Sequence, residues 1–157
     1  MALLQFSNIG IVAIQAAVPA QKIISKEQTQ YFDSETIEEI VQKTGIEERR
    51  FAPEGMCASD LCYAAADKLL NDLQVNRGEI DVLIFISQTP DYRMPATSII
   101  LQHRLGLPKT TAAFDISLGC SAFVYGLSVV YSLMAGGSFK KALLLDGETR
   151  SKVYHPK

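Results

Sequence analysis

A run of eight residues, IDVLIFIS at positions 80–87, is apolar almost without a break. It is too short for an ordinary helix and rich in β-branched residues, which is the pattern of a strand covered on both faces. Such a strand needs helices above and below it, and the flanking sequence supplies them. Leu61, Cys62, Ala65, Ala66, Leu69 and Leu70 recur at helical intervals behind a candidate N-cap, Ser59. The pattern predicts a helix over 95–105, a strand over 111–117 (TAAFDIS), a helix over 121–135 ended by Gly136 and Gly137, and a strand over 141–146 (KALLLD). Upstream, residues 8–17 read as a buried first strand closed by Pro19. Ser25 to Gln28 and Thr36 to Glu39 both have capping-box spacing, the second helix running through Val41 to a stop at Gly45, and a charged strand follows over 46–52.

Strands alternating with helices imply parallel pairing through right-handed crossovers. The expected architecture is therefore α/β: a mixed, mostly parallel five-stranded sheet with helices on both faces. A length of 157 residues with 48% hydrophobic and 20% charged content suits one core. A net charge of −2 leaves no broad positive field, so neither nucleic acid nor an anionic membrane is an expected partner. No apolar stretch approaches the ~20 residues that cross a bilayer. The apolar N-terminus has no Lys or Arg before Lys22 and is interrupted by Gln5, Asn8 and Gln15, which favours a core strand over a signal peptide. Three cysteines make an odd count, and Cys57 and Cys62 lack metal-ligand spacing, so no metal site or disulfide framework is expected and a cytoplasmic location fits.

Ligands in such sheets gather beyond the carboxyl ends of the strands, here residues 87–89, 117–121 and 146–148. Cys120 falls between a strand and a helix in AFDISLGCSAFVYGLSVV, so its sulfur is expected at the helix's first turn. Unpaired N–H groups and the positive end of the helix dipole there favour a thiolate and can stabilise an oxyanion. The alternative for a cysteine on residue type alone is an inert buried hydrophobe. Gly119, Ser121 and Ala122 leave room around the sulfur, which argues for the nucleophile.

The run Phe114 to Leu127 around Cys120 resembles the active-site segment of the β-ketoacyl-[acyl-carrier-protein] synthase III family of the thiolase superfamily. Lys43-Thr-Gly-Ile-Glu-Glu-Arg49 resembles the family's T-G-I-x-x-R, and residues 95–105 resemble its P-S-x-x-x-Q-x-x-L-G helix. The resemblance spans nearly all of residues 1–157, read as the N-terminal half of a thiolase-like fold. It implies an acyltransferase with Cys120 as acyl acceptor, acyl-coenzyme A and malonyl-acyl-carrier protein as substrates, and no permanently bound cofactor. It further implies an acyl-carrier-protein partner, a homodimer, and a decarboxylative condensation that initiates fatty acid or polyketide synthesis, with catalytic His and Asn supplied by a second half. His103 and His155 match neither partner.

By the same resemblance Lys43 and Lys152 fall near the coenzyme phosphates, the alternative for each being a solvated surface lysine. Glu39 falls where the family has an adenine-stacking aromatic. Met94 falls on the loop that reaches a partner's acyl pocket, and Phe123 is a candidate lining of the acyl tunnel, with loop filler and helix core as the respective alternatives. Arg49 and Arg50 are candidates for docking an acidic carrier protein. A noncatalytic half-fold assembly module is the rival reading from another class. Hydroxymethylglutaryl-coenzyme A synthase and polyketide-type synthases are the alternatives within it.

Overall fold

The computed structural model describes residues 3–153, and the chain divides into two compact units, Met1–Ala17 with Cys57–Glu148 and Val18–Met56 with Thr149–Lys157. The larger unit is built on three parallel strands, β3 (Val82–Ile86), β4 (Ala112–Ile116) and β5 (Ala142–Asp146), in the order β4-β3-β5. The register sets Ile84 beside Phe114 on one side and Leu144 on the other. All five residues of β3 are buried, as its unbroken apolar run predicts.

Alternation along β3 feeds two cores. Leu83 and Phe85 pack with Leu143 and Leu145 of β5 against α2 (Ala58–Asp72), through Ala58, Cys62, Ala66 and Leu70, and against α3 (Thr97–Arg104), through Leu101. Val82, Ile84 and Ile86 face the other way, onto Ala122 and Val130 of α4 (Ala122–Ala135). Full burial of each large side chain contributes roughly 1.5–3 kcal/mol, so β3 is the energetic centre of the unit.

Gly126 sets the spacing of α4 on the sheet. A Cβ built there would stand 2.4 Å from Cδ1 of Ile86 and 2.9 Å from Cδ1 of Leu144, so the helix axis lies closer than any side chain would allow. The start of α3 depends on a residue far away in sequence. Its N-cap, Ala96, offers no side-chain acceptor, and Asp115 of β4 accepts from the N–H groups of Thr97 (2.7 Å) and Ser98 (2.8 Å) instead.

The smaller unit pairs β1 (Lys22–Ile24) antiparallel with β2 (Glu48–Arg50), flanked by an ion pair between Lys22 and Glu48. Helix α1 (Ser34–Thr44) ends at Gly45 with φ of 68°, the left-handed position that a glycine takes without cost. Its cap is Asp33, whose carboxylate accepts from Thr36 N–H at 2.8 Å. Thr36 thus donates to the cap, and the capping box expected at Thr36 to Glu39 does not form. The Thr36 N–H and then its hydroxyl hold the Asp33 carboxyl below the ordinary carboxylate value. A depressed carboxyl stabilises the fold above its unfolded pKa and loses that contribution as pH falls through the lower folded value. The melting-point deficit of Asp33→Ala should accordingly be full at pH 7 and shrink below about pH 4.

Three expectations need correction. The described strands do not form one five-stranded sheet: β4-β3-β5 make a parallel three, and Lys22–Ile24, a strand the sequence pattern does not predict, pairs antiparallel with Glu48–Arg50. Residues 8–17 form no strand among the described residues, and Ile11, Val12 and Ile14 are exposed, at 51%, 92% and 78%. Apolar character makes a segment able to enter a sheet, but a strand also needs backbone pairing in register, and residues 10–15 instead border a cavity shared with α2, α4 and β5. Ser25 to Gln28 make a single 3-10 turn over Ser25–Glu27, because the Ser25 hydroxyl donates across to Ile46 O at 3.0 Å instead of capping a helix.

Candidate active site

The carboxyl end of β4 leads into the turn that carries Cys120, and the loop after β3 reaches that turn through Gln88. Between Ile116 and Ala122 the chain tightens through an N–H of Ala122 donating to Gly119 O at 2.8 Å, and α4 then begins behind Ser121. Cys120 therefore sits one residue before the helix's N-cap, with its side chain exposed. The Ala122 N–H is committed inside the turn, so any oxyanion donors must come from other N–H groups of that opening turn. The turn passes close to Gln88 in the loop after β3: a Cβ at Gly119 would stand 2.8 Å from Nε2 of that exposed side chain, which would have to turn aside.

The other cysteines differ physically. Cys62 is buried on α2, and burial pushes its thiol up to about 12, with the negative charges of Asp146, Asp91 and Glu148 adding to the shift. Gly147 is the residue above it, where a Cβ would stand 2.4 Å from the Cys62 sulfur. Cys57 is half-buried and is the N-cap of α2, its N–H donating to Asp60 Oδ2 at 2.8 Å. Ser59, the expected cap, lies in the first turn and donates its hydroxyl to Asp91 Oδ2 at 2.5 Å.

Beyond the strands, the segments 87–89 and 146–148, which the sequence marks as strand ends where ligands gather, are tied into one network. Glu148 accepts at Oε1 from Gln88 N–H (2.6 Å) and at Oε2 from the Thr89 hydroxyl (2.8 Å), and Ser87 Oγ stands 3.5 Å from Oε2. Thr89 N–H donates to Ser87 Oγ at 2.9 Å, folding residues 87–89 into a closed turn. Asp146 sits beside it, its carboxyl raised by burial and then by the Glu148 charge. Asp91 anchors the following loop to α2, while Arg104 bonds Asp60 Oδ1 at 2.9 Å and lies over the Tyr63 ring.

The remaining expected site residues are spread over both units. Phe123, one helical turn of sequence from Cys120, is 45% exposed and lines an apolar cavity of about 310 Å³ with Leu127, Val130, Tyr131 and Met134 of α4 and Leu143 and Leu145 of β5. Met94 is 84% exposed in the loop before α3. Lys43 belongs to the smaller unit and pairs with Glu39 at 2.5 Å, so the residue at the adenine-stacking position engages the lysine expected at the phosphates. Lys152 lies exposed on the short turn Arg150–Lys152 of the same unit. Arg50 donates to Ala20 O at 3.0 Å, which ties it to its own unit. His103 is exposed near the end of α3, and His155 lies outside the described residues. No helix among the described residues is long and apolar enough to cross a membrane.

Comparison with known proteins agrees with this arrangement. Residues 114–157 match the family model for 3-oxoacyl-[acyl-carrier-protein (ACP)] synthase III. The beta-ketoacyl-[acyl-carrier-protein] synthase III of Desulfitobacterium hafniense (strain Y51) is 36% identical over 146 residues, covering 93% of this chain and 44% of the relative. The crystal structure of 3-oxoacyl-(acyl-carrier protein) synthase from Burkholderia xenovorans LB400 superposes with a TM-score of 0.86 at 38% identity, covering 91% of this chain and 42% of that one. Xanthomonas campestris OleA, in crystals with bound lauric acid and lauroyl-CoA, superposes with a TM-score of 0.85 at 29% identity, covering 96% of this chain and 46% of that one. The chain spans about half the length of the relatives it matches. With a thiolase-like α/β core and a strand-turn-helix cysteine in the matched segment, the chain belongs to the 3-oxoacyl-[acyl-carrier-protein] synthase III family.

Proposed function

We propose that Cys120 accepts an acyl group from acyl-coenzyme A as the first half of a decarboxylative condensation that initiates fatty acid or related polyketide synthesis. The carrying observation is the contrast between an exposed Cys120 at a strand-to-helix turn and a buried Cys62 kept as a thiol. The Cys120 sulfur attacks the thioester carbonyl carbon, the S–acyl bond forms, and the coenzyme A sulfur leaves with the proton that the cysteine gives up. Malonyl-acyl-carrier protein then loses carbon dioxide, the electron pair so released attacks the acyl carbon, and the Cys120 sulfur leaves as the β-ketoacyl product forms. Decarboxylation needs donors aimed at the malonyl thioester oxygen, and the family resemblance gives that task to a His and an Asn that residues 1–157 do not supply.

The relatives' names support acyl-carrier protein as partner, and the lauroyl-CoA in OleA supports a coenzyme A donor. Phe123, Val124 and Tyr125 are exposed at 45%, 67% and 59% on the first turn of α4, which supports a subunit contact and hence a homodimer. Phe123 would then line the acyl site, and Met94, an unbranched and adaptable side chain, would admit longer or branched primers. Lys43 and Lys152 would meet the coenzyme phosphates once Lys43 exchanges its partner Glu39. No permanently bound cofactor is required, and the reducing cytoplasm keeps the thiol available.

Incubating the chain with acetyl-, isobutyryl- and octanoyl-coenzyme A and mapping the adduct by mass spectrometry tests the proposal. One acyl group on Cys120 is expected, with Cys62 unmodified below pH 9 until the protein is denatured. Acylation no faster at Cys120 than at Cys57 would reject the transferase in favour of a scaffolding half-fold.

A further inference from the structure

The carboxyl ends of β3 and β5 are joined through one carboxylate. Glu148 follows β5, and it holds the turn 87–89 that follows β3 by accepting from the N–H of Gln88, the hydroxyl of Thr89 and, at longer range, the hydroxyl of Ser87. The shortest of these contacts is the 2.6 Å bond from Gln88 N–H to Oε1. Gln88 is the middle residue of the held turn. Its carboxamide lies against Gly119, where even a methyl group would meet Nε2 at 2.8 Å. Gly119 immediately precedes Cys120 and accepts the Ala122 N–H that closes the cysteine's turn. A backbone pinned at residue 88 thus fixes the surface on which the nucleophile's turn rests.

We propose that Glu148 is a positioning residue for Cys120, acting through the 87–89 turn and the Gln88 carboxamide packed on Gly119. The inference rests on Cys120 being the acyl acceptor. Glu148 itself exchanges no proton with substrate in this scheme. It removes the freedom of the 87–89 turn, so that the Gly119–Cys120 backbone does not have to be ordered at the moment of attack, and a displacement of about 1 Å at a reacting atom is enough to slow a reaction on the order of a hundredfold. Glutamate suits the task because it reaches three donors on consecutive residues from the neighbouring strand, and no neutral side chain supplies two equivalent acceptor oxygens.

The test is a double-mutant cycle read at Cys120. Acylation by acetyl-coenzyme A is followed in the unaltered chain, Glu148→Gln, Gln88→Ala and the double variant, with iodoacetamide labelling of Cys57 and Cys62 as internal monitors of opening. Glu148→Gln and Gln88→Ala should each slow acylation on the order of tenfold or more, with Cys62 still protected. The double variant should be no slower than the slower single one. Acylation of Glu148→Gln at the unaltered rate, or single effects that multiply in the double variant, would overturn the inference. Absence of acylation in the unaltered chain would instead remove the transferase reading beneath it. Should Glu148→Gln fail to fold, Thr89→Val, which deletes one donor to the same carboxylate, replaces it in the cycle with the same expectations.

Discussion

Gly126→Val is expected to leave the larger unit near or beyond the limit of stability, losing about 3 kcal/mol or more. The position of the first added carbon alone is prohibitive, 2.4 Å from Ile86 Cδ1 and 2.9 Å from Leu144 Cδ1. Ile86 is 1% exposed and belongs to the fully buried central strand, so it has no free volume into which to turn. Relief must come from moving α4 off the sheet, and that opens the core formed by Val82, Ile84 and Val130. Valine's better helix propensity relative to glycine returns less than 1 kcal/mol. Against a typical domain stability of about 5–15 kcal/mol this is a large fraction, and the urea midpoint should fall sharply with the slope of the transition unchanged. Gly126→Ala, which places only the first carbon, should fall between the two. A midpoint unchanged in Gly126→Val would mean that α4 does not rest on the sheet as described.

Asp115→Ala should cost a similar amount, about 3 kcal/mol, for a different reason. The carboxylate is the acceptor for the first two N–H groups of α3, and Thr97 and Ser98 are both fully buried. Water cannot take its place there. The same two residues already carry hydroxyls, Thr97 Oγ1 and Ser98 Oγ, with no hydrogen-bond partner among the described residues, so removing the carboxylate leaves four unsatisfied groups together. Asp115→Asn retains one acceptor oxygen and should lose about half as much. Amide exchange at Thr97 and Ser98 gives the decisive reading, since both N–H groups should lose protection in the alanine variant while the centre of β3 keeps its own.

Much of the fold can be read locally. The strands at 82–86, 112–116 and 142–146 and the helix at 122–135 each lie within the ranges that periodicity predicts, because period and burial in these elements agree. The place of Cys120 between a strand and a helix is legible for the same reason, since the elements on either side of it are both strong patterns. What escapes is non-local. Asp115 appears in the sequence as one polar residue inside a strand, and nothing nearby announces that it caps a helix beginning eighteen positions earlier. Glu148 and Gln88 are sixty residues apart: the strand ends that carry them are legible, but the bond between them is not. Asp33 wins the cap of α1 from Thr36 because it precedes the helix by one residue with extended backbone, a dihedral distinction that residue spacing does not encode. Residues 8–17 are the converse case: their composition reports that burial is favourable, and a strand also requires a neighbour to pair with.

The order β4-β3-β5 leaves the outer strands each paired on one flank only among the described residues. The outward row of amides and carbonyls on β4 (AAFDI) carries no lysine or proline that would discourage another extended chain, and its single charge, Asp115, is turned to the start of α3. Such a margin is adhesive toward any extended backbone that meets it, copies of this chain included. Yield on refolding should therefore depend on dilution, and arginine-containing or strongly diluted buffers should recover more native material than concentrated ones.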